Sequence, residues 1–444
     1  MFLFLVLLSF LICFPLTAWA YIDPGFGGYL INSVISLVVT GTAFMSAAVI
    51  YFFRTIIGQK LFGLWQKHEK ICLIVLLLIL SAGSFFLGTF LHSSFYKPSG
   101  HHSDLSSVHI FDAQRTCRGY NLFNKNLIDE KGRIVKQWTK AEYGVIDKNG
   151  DFYGKLWTNK SIWGRYTWDD HAIWEKTFPT DHGIYLTPKE TVVVFTKQPH
   201  NYNNYNVDFD VILEFDKNGR QLQRYDFWDH LKEYQPYHAE FNIDIPLTGP
   251  FGLLAKKQEL YDYFHLNCFF MIPPNALEGK NPAFRRGNWL ISLLHGSMVF
   301  ILDQDTKKIL WHMAAHDVQG GLEGQHSVSL LPDGNILLFE NGEDRKASRI
   351  LIIDPLSLKI KWQYSHTDFF TTHGGFVQAL PNGNLLVTES KQGHVFELTP
   401  DKKIVWEFYN NQEKDGHPGP QDPEMTVYYM IRYPKTIIDH FLHQ

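Results

Sequence analysis

Six stretches place a polar turn ahead of an aromatic residue: IDEKGRIVKQW (128–138), WDDHAIWEK (168–176), FDKNGRQLQRY (215–225), LDQDTKKILW (302–311), IDPLSLKIKW (353–362) and LTPDKKIVW (398–406). The aromatics Trp138, Trp174, Tyr225, Trp311, Trp362 and Trp406 follow one another at 36, 51, 86, 51 and 44 residues. Short strands and polar turns at this period cannot bury an apolar face singly, and stacking them in a ring does so. The pattern predicts an all-β, six-bladed β-propeller. The gap of 86 residues calls for an insertion, placed between Trp228 and Asp262, where no strand period is visible. A second element interleaves with the first: LTPKE (186–190), IPPN (272–275), LPDGN (331–335) and LPNGN (380–384). In each, Pro fixes φ, and Gly, where present, supplies a conformation other residues avoid. The strand before each turn is expected to run along the central channel, and the stretch Thr426–Leu442 to supply a closing segment.

Composition agrees. Of 444 residues, 45% are hydrophobic, 15% aromatic and 19% charged, which excludes disorder, and a net charge of -4 provides no basic footprint for nucleic acid. The apolar residues cluster at the front: Met1–Ile22, Tyr29–Phe53 and Ile71–Leu91 contain no Asp, Glu, Lys or Arg. Residues 1–20 end in Ala18-Trp19-Ala20 and read as a signal peptide or an uncleaved anchor. Residues 21–104 read as a membrane anchor with transmembrane helices at about 29–53 and 71–91, each long enough to cross the hydrocarbon. Arg54, Lys60, Lys67 and Lys70 against Glu69 put the connecting loop in the cytoplasm. Residues 105–444, the propeller, are then expected on the extracytoplasmic (periplasmic) side of the cell membrane, with membrane lipid as a partner of the helices. Cys117 and Cys268 permit one disulfide, whose existence spacing alone leaves open. Neither G-x-x-x-x-G-K-[ST] nor G-x-G-x-x-G occurs, and no cofactor is expected.

Four histidines stand at even distances from the turn prolines: His182 six before Pro188, His265 eight before Pro273, His326 six before Pro332 and His373 eight before Pro381. Alternation along a strand would put all four imidazoles on one side of equivalent strands, facing a shared space. Converging imidazoles can exchange protons near neutral pH, attack an electrophile or bind a metal. Arg345, in the turn after LPDGN, offers a guanidinium for an anionic group.

These residues carry a resemblance to the arylsulfotransferase family. QHSVSLLPDGNILLFENGEDR (325–345) is similar to its signature, and GYNLF (119–123), HLN (265–267), SRILIIDP (348–355) and LPNGNLLVTESKQGHVFEL (380–398) extend the likeness through roughly 105–410. The resemblance implies a six-bladed propeller that moves a sulfuryl group from a small aryl sulfate donor to a phenolic acceptor without a nucleotide sulfate donor. It assigns catalytic roles to His265, His326 and Arg345. The family's sulfated histidine falls in a later blade, where this chain offers His373 and His394. His182, Asn267 and His295 are the expected substrate-binding residues, and no metal is expected. Glu340, Cys268 and Leu294 depart from the usual Asp, Ser and basic residue. Two readings from other classes stand beside this one: a propeller that only binds an anionic or glycan ligand, and one whose histidines hold a transition metal.

Overall fold

The computed structural model describes residues 108–156, 162–202, 204–237, 260–410 and 427–442. The expected leader and both expected spans lie outside these residues. Among those described, no helix is long and apolar enough to cross a membrane.

Six sheets form the six expected blades. Blade 1 comprises β26 (Met430–Tyr433), β2 (Tyr120–Phe123), β3 (Asn126–Ile128) and β4 (Ile134–Gln137). Blade 2 comprises β5 (Tyr143–Ile146), β6 (Phe152–Lys155), β7 (Ile162–Tyr166) and β8 (Ala172–Thr177). Blade 3 comprises β9 (Asp181–Leu186), β10 (Val192–Tyr202), β11 (Tyr205–Phe215) and β12 (Gln221–Asp226). Blade 4 runs β14 (Leu266–Met271), β15 (Trp289–Leu293), β16 (Met298–Leu302) and β17 (Ile309–Met313). Blade 5 runs β18 (Gln325–Leu330), β19 (Ile336–Glu340), β20 (Arg349–Ile353) and β21 (Ile360–Tyr364). Blade 6 runs β22 (Phe376–Ala379), β23 (Leu385–Glu389), β24 (His394–Leu398) and β25 (Ile404–Tyr409), with β1 (Val108–Phe111) added at its outer edge.

The ring closes twice. The expected closing segment is present as β26, which pairs antiparallel with β2 from Tyr120↔Tyr433 to Phe123↔Met430. β1 pairs with β25, a contribution the sequence did not announce. Helix α2 (Lys435–Leu442) follows β26, buries Ile438 and accepts a hydrogen bond on Asp439 from the Tyr120 hydroxyl.

Six buried apolar clusters hold the ring, one between each pair of successive blades. Leu122, Leu127 and Phe152 pack between blades 1 and 2, and Tyr153, Trp163 and Val194 between 2 and 3. Phe269 and Trp289 meet blade 3 residues such as Phe195, and Leu338 and Leu351 of blade 5 meet Leu290 and Val299. Phe339 packs with Val377 and Phe396, and Trp406 and Leu386 with Phe123 and Ile128. This is the apolar face that a lone blade could not bury.

The repeated aromatics mark the outer strands: Trp174, Tyr225, Trp311, Trp362 and Trp406 lie on β8, β12, β17, β21 and β25, and Trp138 follows β4. Four of the indoles donate Nε1–H to a carbonyl in the last turn of the next blade. The pairs are Trp174 to Lys217, Trp311 to Pro355, Trp362 to Pro400 and Trp406 to Glu130. The repeat therefore encodes a stitch between neighbours as well as an apolar anchor. The Pro and Gly turns join inner strands to second strands, and Gly334 and Gly383 take φ of 91° and 86° there.

Blade 3 carries the insertion. β10 and β11 are eleven residues each and pair from Val192↔Phe215 to Tyr202↔Tyr205, well beyond the length of other blades. Helix α1 (Leu231–Tyr234) follows β12. Chain returns as β13 (Leu260–Asp262), which pairs parallel with β11 at Asn206–Asp208. Cys117 and Cys268 are both free thiols.

Candidate active site

The inner strands enclose a cavity of about 2350 Å³. His182, His265, His295, His326, His373 and Asn267 all line it. His182 and His265 stand edge to face, ring centroids 5.0 Å apart, and His265 and His295 are 5.3 Å apart.

The shared space is as expected, but simple strand alternation is not what creates it. His182 and His265 take left-handed φ of 49° and 54°, and Ser327, next to His326, takes 51°. The ladder slips at these points, between Val193 and Phe195 on β10 opposite β9, Leu266 and Cys268 on β14, and His326 and Ser329 on β18. A slipped register cancels the parity count between histidine and proline. Equivalent bulges in three blades re-aim the imidazoles instead. His373 lies in the loop ahead of β22 and is exposed, its Nδ1 2.7 Å from the Thr372 hydroxyl.

Each clustered imidazole is tied through Nδ1. His326 Nδ1 lies 2.5 Å from Asn341 Oδ1 and 3.1 Å from the Gly324 carbonyl. Both partners only accept, so Nδ1 carries the proton and Nε2 keeps its lone pair. Asn341 cannot turn, because its Nδ2 donates to the Thr371 and Gly374 carbonyls at 2.8 and 2.9 Å. Burial holds His326 down to about 4, aided by His182 and His265 nearby. The ring is thus a neutral base with a defined tautomer at neutral pH.

His265 Nδ1 donates to Asp262 Oδ2 at 2.7 Å. Burial lowers its pKa to about 4 against the opposing pull of Asp262. His295 Nδ1 donates to the Tyr263 carbonyl at 3.1 Å, and His182 Nδ1 stands 3.3 Å from Asp181. Lys197 bridges the two carboxylates, its Nζ 2.5 Å from Asp262 and 3.1 Å from Asp181. Burial opposes ionisation of both acids, yet His182 and Lys197 hold Asp181 well below the carboxylate range, and Lys197 and His265 hold Asp262 below it. Lys155 Nζ donates to the His182 carbonyl at 2.8 Å and fastens the left-handed residue from blade 2.

Two expected site residues are elsewhere. Arg345 is not part of the cavity wall: Nη1 pairs with Glu323 at 2.8 Å and Nη2 with the fully buried Glu340 at 2.6 Å. Arg349 shares Glu340, so two guanidiniums anchor the loop that carries Asn341. His394 is also off the wall, held between Glu389 and Glu407 and stacked on Tyr409 at 4.3 Å. Lys197 is a cation beside the imidazoles, and Lys155 and Lys391 also line the cavity. Among the described residues, no three His, Cys, Asp or Glu are placed to hold a metal ion.

Sequence reading missed Lys197, Asp181, Asp262 and Asn341. Asn341 lay inside a quoted motif, and Asp262 stands three residues before His265. Lys197 carried no local signal: it reaches the site only because the long hairpin and β13 come together.

The family described as Arylsulfotransferase (ASST) matches residues 126–411, nearly the whole ring. The chain belongs to the arylsulfotransferase family. Membership suggests a transferase and implies an aryl sulfate donor with a phenol acceptor. No curated protein matches the chain. Among solved structures, this arylsulfotransferase-family chain is similar to a Bacteroides caccae protein of unknown function, at 15% identity and a TM-score of 0.42, over 66% of this chain and 93% of that one. It is also similar to a catalytically inactive virginiamycin B lyase from Staphylococcus aureus with quinupristin, at 12% identity and a TM-score of 0.34, over 68% and 75% of the two chains.

Proposed function

We propose that the chain is an aryl-sulfate sulfotransferase that works by ping-pong transfer through His326, without a nucleotide sulfate donor. The observation that carries this reading is His326 itself: neutral, fixed in one tautomer by Asn341, on the wall of a cavity shared with other imidazoles. A neutral imidazole with an immobilised Nδ1–H is a nitrogen nucleophile at Nε2.

In the first half-reaction the Nε2 lone pair forms a bond to sulfur as the bond from sulfur to the aryl oxygen breaks. The departing phenolate takes a proton from His265. Entry of the sulfate anion favours the imidazolium form of His265, since a nearby opposite charge stabilises it. In the second half-reaction the acceptor phenol gives its proton back to His265, and its oxygen takes the sulfuryl group from His326. Asp262 orients His265 throughout, as a carboxylate orients the histidine of a hydrolase triad. Sulfuryl transfer resembles phosphoryl transfer in depending on positioning and charge stabilisation. Lys197 offsets the charge of Asp181 and Asp262 at the cavity wall. The apolar segments before the propeller would hold the cavity on the extracytoplasmic side of the membrane.

The test is a chromogenic, membrane-impermeant aryl sulfate with phenol as acceptor, given to intact cells and to purified protein. Both should release the chromophore, and without acceptor the purified protein should give one burst per chain with sulfate mapped to His326. Sulfation of His373 would move the nucleophile to the next blade. Zero turnover by folded protein across varied donors would overturn the reading.

A further inference from the structure

Asp210 lies behind the histidines, and the transfer mechanism above does not use it. It is fully buried on β11, and Oδ2 accepts the backbone N–H of Leu266, the residue after His265, at 3.0 Å. Oδ1 is buried with no hydrogen-bond partner. A carboxylate in this position would leave a charged oxygen unsolvated, the costliest way to bury a polar atom.

Among the described residues, its surroundings offer no spare cation. Lys197 is its direct partner across the hairpin in Cα register, but that ammonium is held by Asp262 on β13 and Asp181 on β9. Asp208 stands two residues along β11, on the same face, and Asp262 pairs with it in register. Of the nearby imidazoles, His265 donates to Asp262, His295 to the Tyr263 carbonyl, and His182 stands beside Asp181. Four carboxyls thus crowd one lysine, and like charges this close cannot all ionise. Asp181 and Asp262 touch Lys197 and keep the charges. Asp210, the most enclosed of the four, is the one that holds a proton. Burial, with Asp262 adding to it and Lys197 opposing, raises its pKa to about 7.

We propose that Asp210 stands as a neutral carboxylic acid behind the histidines below neutral pH, and that its ionisation as pH rises through neutrality weakens the site's hold on an aryl sulfate anion. The proposal rests on the sulfuryl-transfer reading. Asp210 acts through its charge and touches neither substrate nor reacting atoms. While it is neutral, Lys197 faces two negative charges. Its ionisation adds a third behind the cavity wall and repels the incoming anion. One such charge at the far side of a side chain is worth about tenfold in affinity.

Two measurements test this, and neither depends on turnover. Infrared difference spectra of the whole chain should show a protonated-carboxyl stretch that vanishes as pH rises through neutrality. Asp210→Asn, which keeps the shape and the acceptor for Leu266, should lack that band, and Asp210→Glu should shift it. Equilibrium binding of an aryl sulfonate, which cannot transfer its sulfur group, should weaken about tenfold for the wild type between pH 6 and pH 8.5, and stay level for Asp210→Asn. A band that persists in Asp210→Asn, or an unchanged fall in affinity in that variant, would overturn the proposal. If the sulfonate binds with the expected pH dependence while no aryl sulfate is turned over, the transferase reading fails and the charge gate stands.

Discussion

The behaviour of His326 depends on one neighbour being an amide. Asn341 presents an uncharged oxygen to Nδ1 and leaves burial free to hold the ring down to about 4. A lowered histidine pKa keeps the base neutral at every pH above that value, so a His326-dependent burst should persist into acid and decline only near pH 4. Asn341→Asp keeps the acceptor and replaces the dipole with a charge, which favours the imidazolium. A carboxylate this close raises a histidine pKa by about one to three pH units. The acid limb of the burst should move upward by that amount, with little change in its plateau. A limb that stays near pH 4 in the variant would mean that His326 is not the titrating nucleophile. Much of this chemistry was legible in the sequence as histidines near turn prolines. What was not legible was the means: left-handed residues at His182, His265 and Ser327 break the alternation on which any parity count relies. Arg345 shows the converse. A guanidinium beside a histidine motif looks available in one dimension, and only the pairing of Gln325 with Glu340 brings Glu340 under it.

At the level of elements, the aromatic that ends each repeat was the clearest feature of the sequence, and its hydrogen bond explains why indole recurs there. Trp362 donates to Pro400 in an exposed setting, whereas Trp406 is fully buried and donates to Glu130. Phenylalanine retains most of the apolar contact but no donor. Trp406→Phe strands a buried carbonyl and should lower unfolding free energy by about 1 to 3 kcal/mol from that bond alone, while water can replace the donor in Trp362→Phe, limiting its cost to about 1 kcal/mol. Urea denaturation of the two variants checks the order, and equal losses would show that the stitch contributes nothing beyond packing. The blades were legible because short strands, polar turns and an aromatic recur in the same order six times. β1 and β13 were not, since each is a few residues long and owes its existence to an edge supplied by a distant segment. The same is true of Lys197, which a sequence scan sees as one more lysine on a strand.

For the whole molecule, a ring of blades is only as stable as the seam where its first and last members meet. Here the seam contains a buried ion pair. Arg432 on β26 is 4% exposed and pairs through Nη1 with Glu397 of β24, which is fully buried. Arg432 Nε donates to Asn121 Oδ1 at 2.7 Å, and Nη1 to the Cys117 carbonyl at 3.0 Å. Glu397 in turn accepts from the Cys117 backbone and from Asn384. One guanidinium therefore joins the closing strand, the strand it completes and the neighbouring blade. Such a pair adds little net stability over a well-packed apolar substitute, because desolvation offsets its Coulomb attraction. Breaking it from one side is different, since the remaining charge is left buried without a partner. Arg432→Met should therefore cost about 3 to 5 kcal/mol, and adding Glu397→Leu should recover most of that loss. Denaturant titration of both variants decides the matter. If the double variant were as unstable as the single one, the ion pair's fixed geometry would be what seals the ring; if it recovers, apolar packing suffices to close it and the ions serve to set the register of β26 against β2.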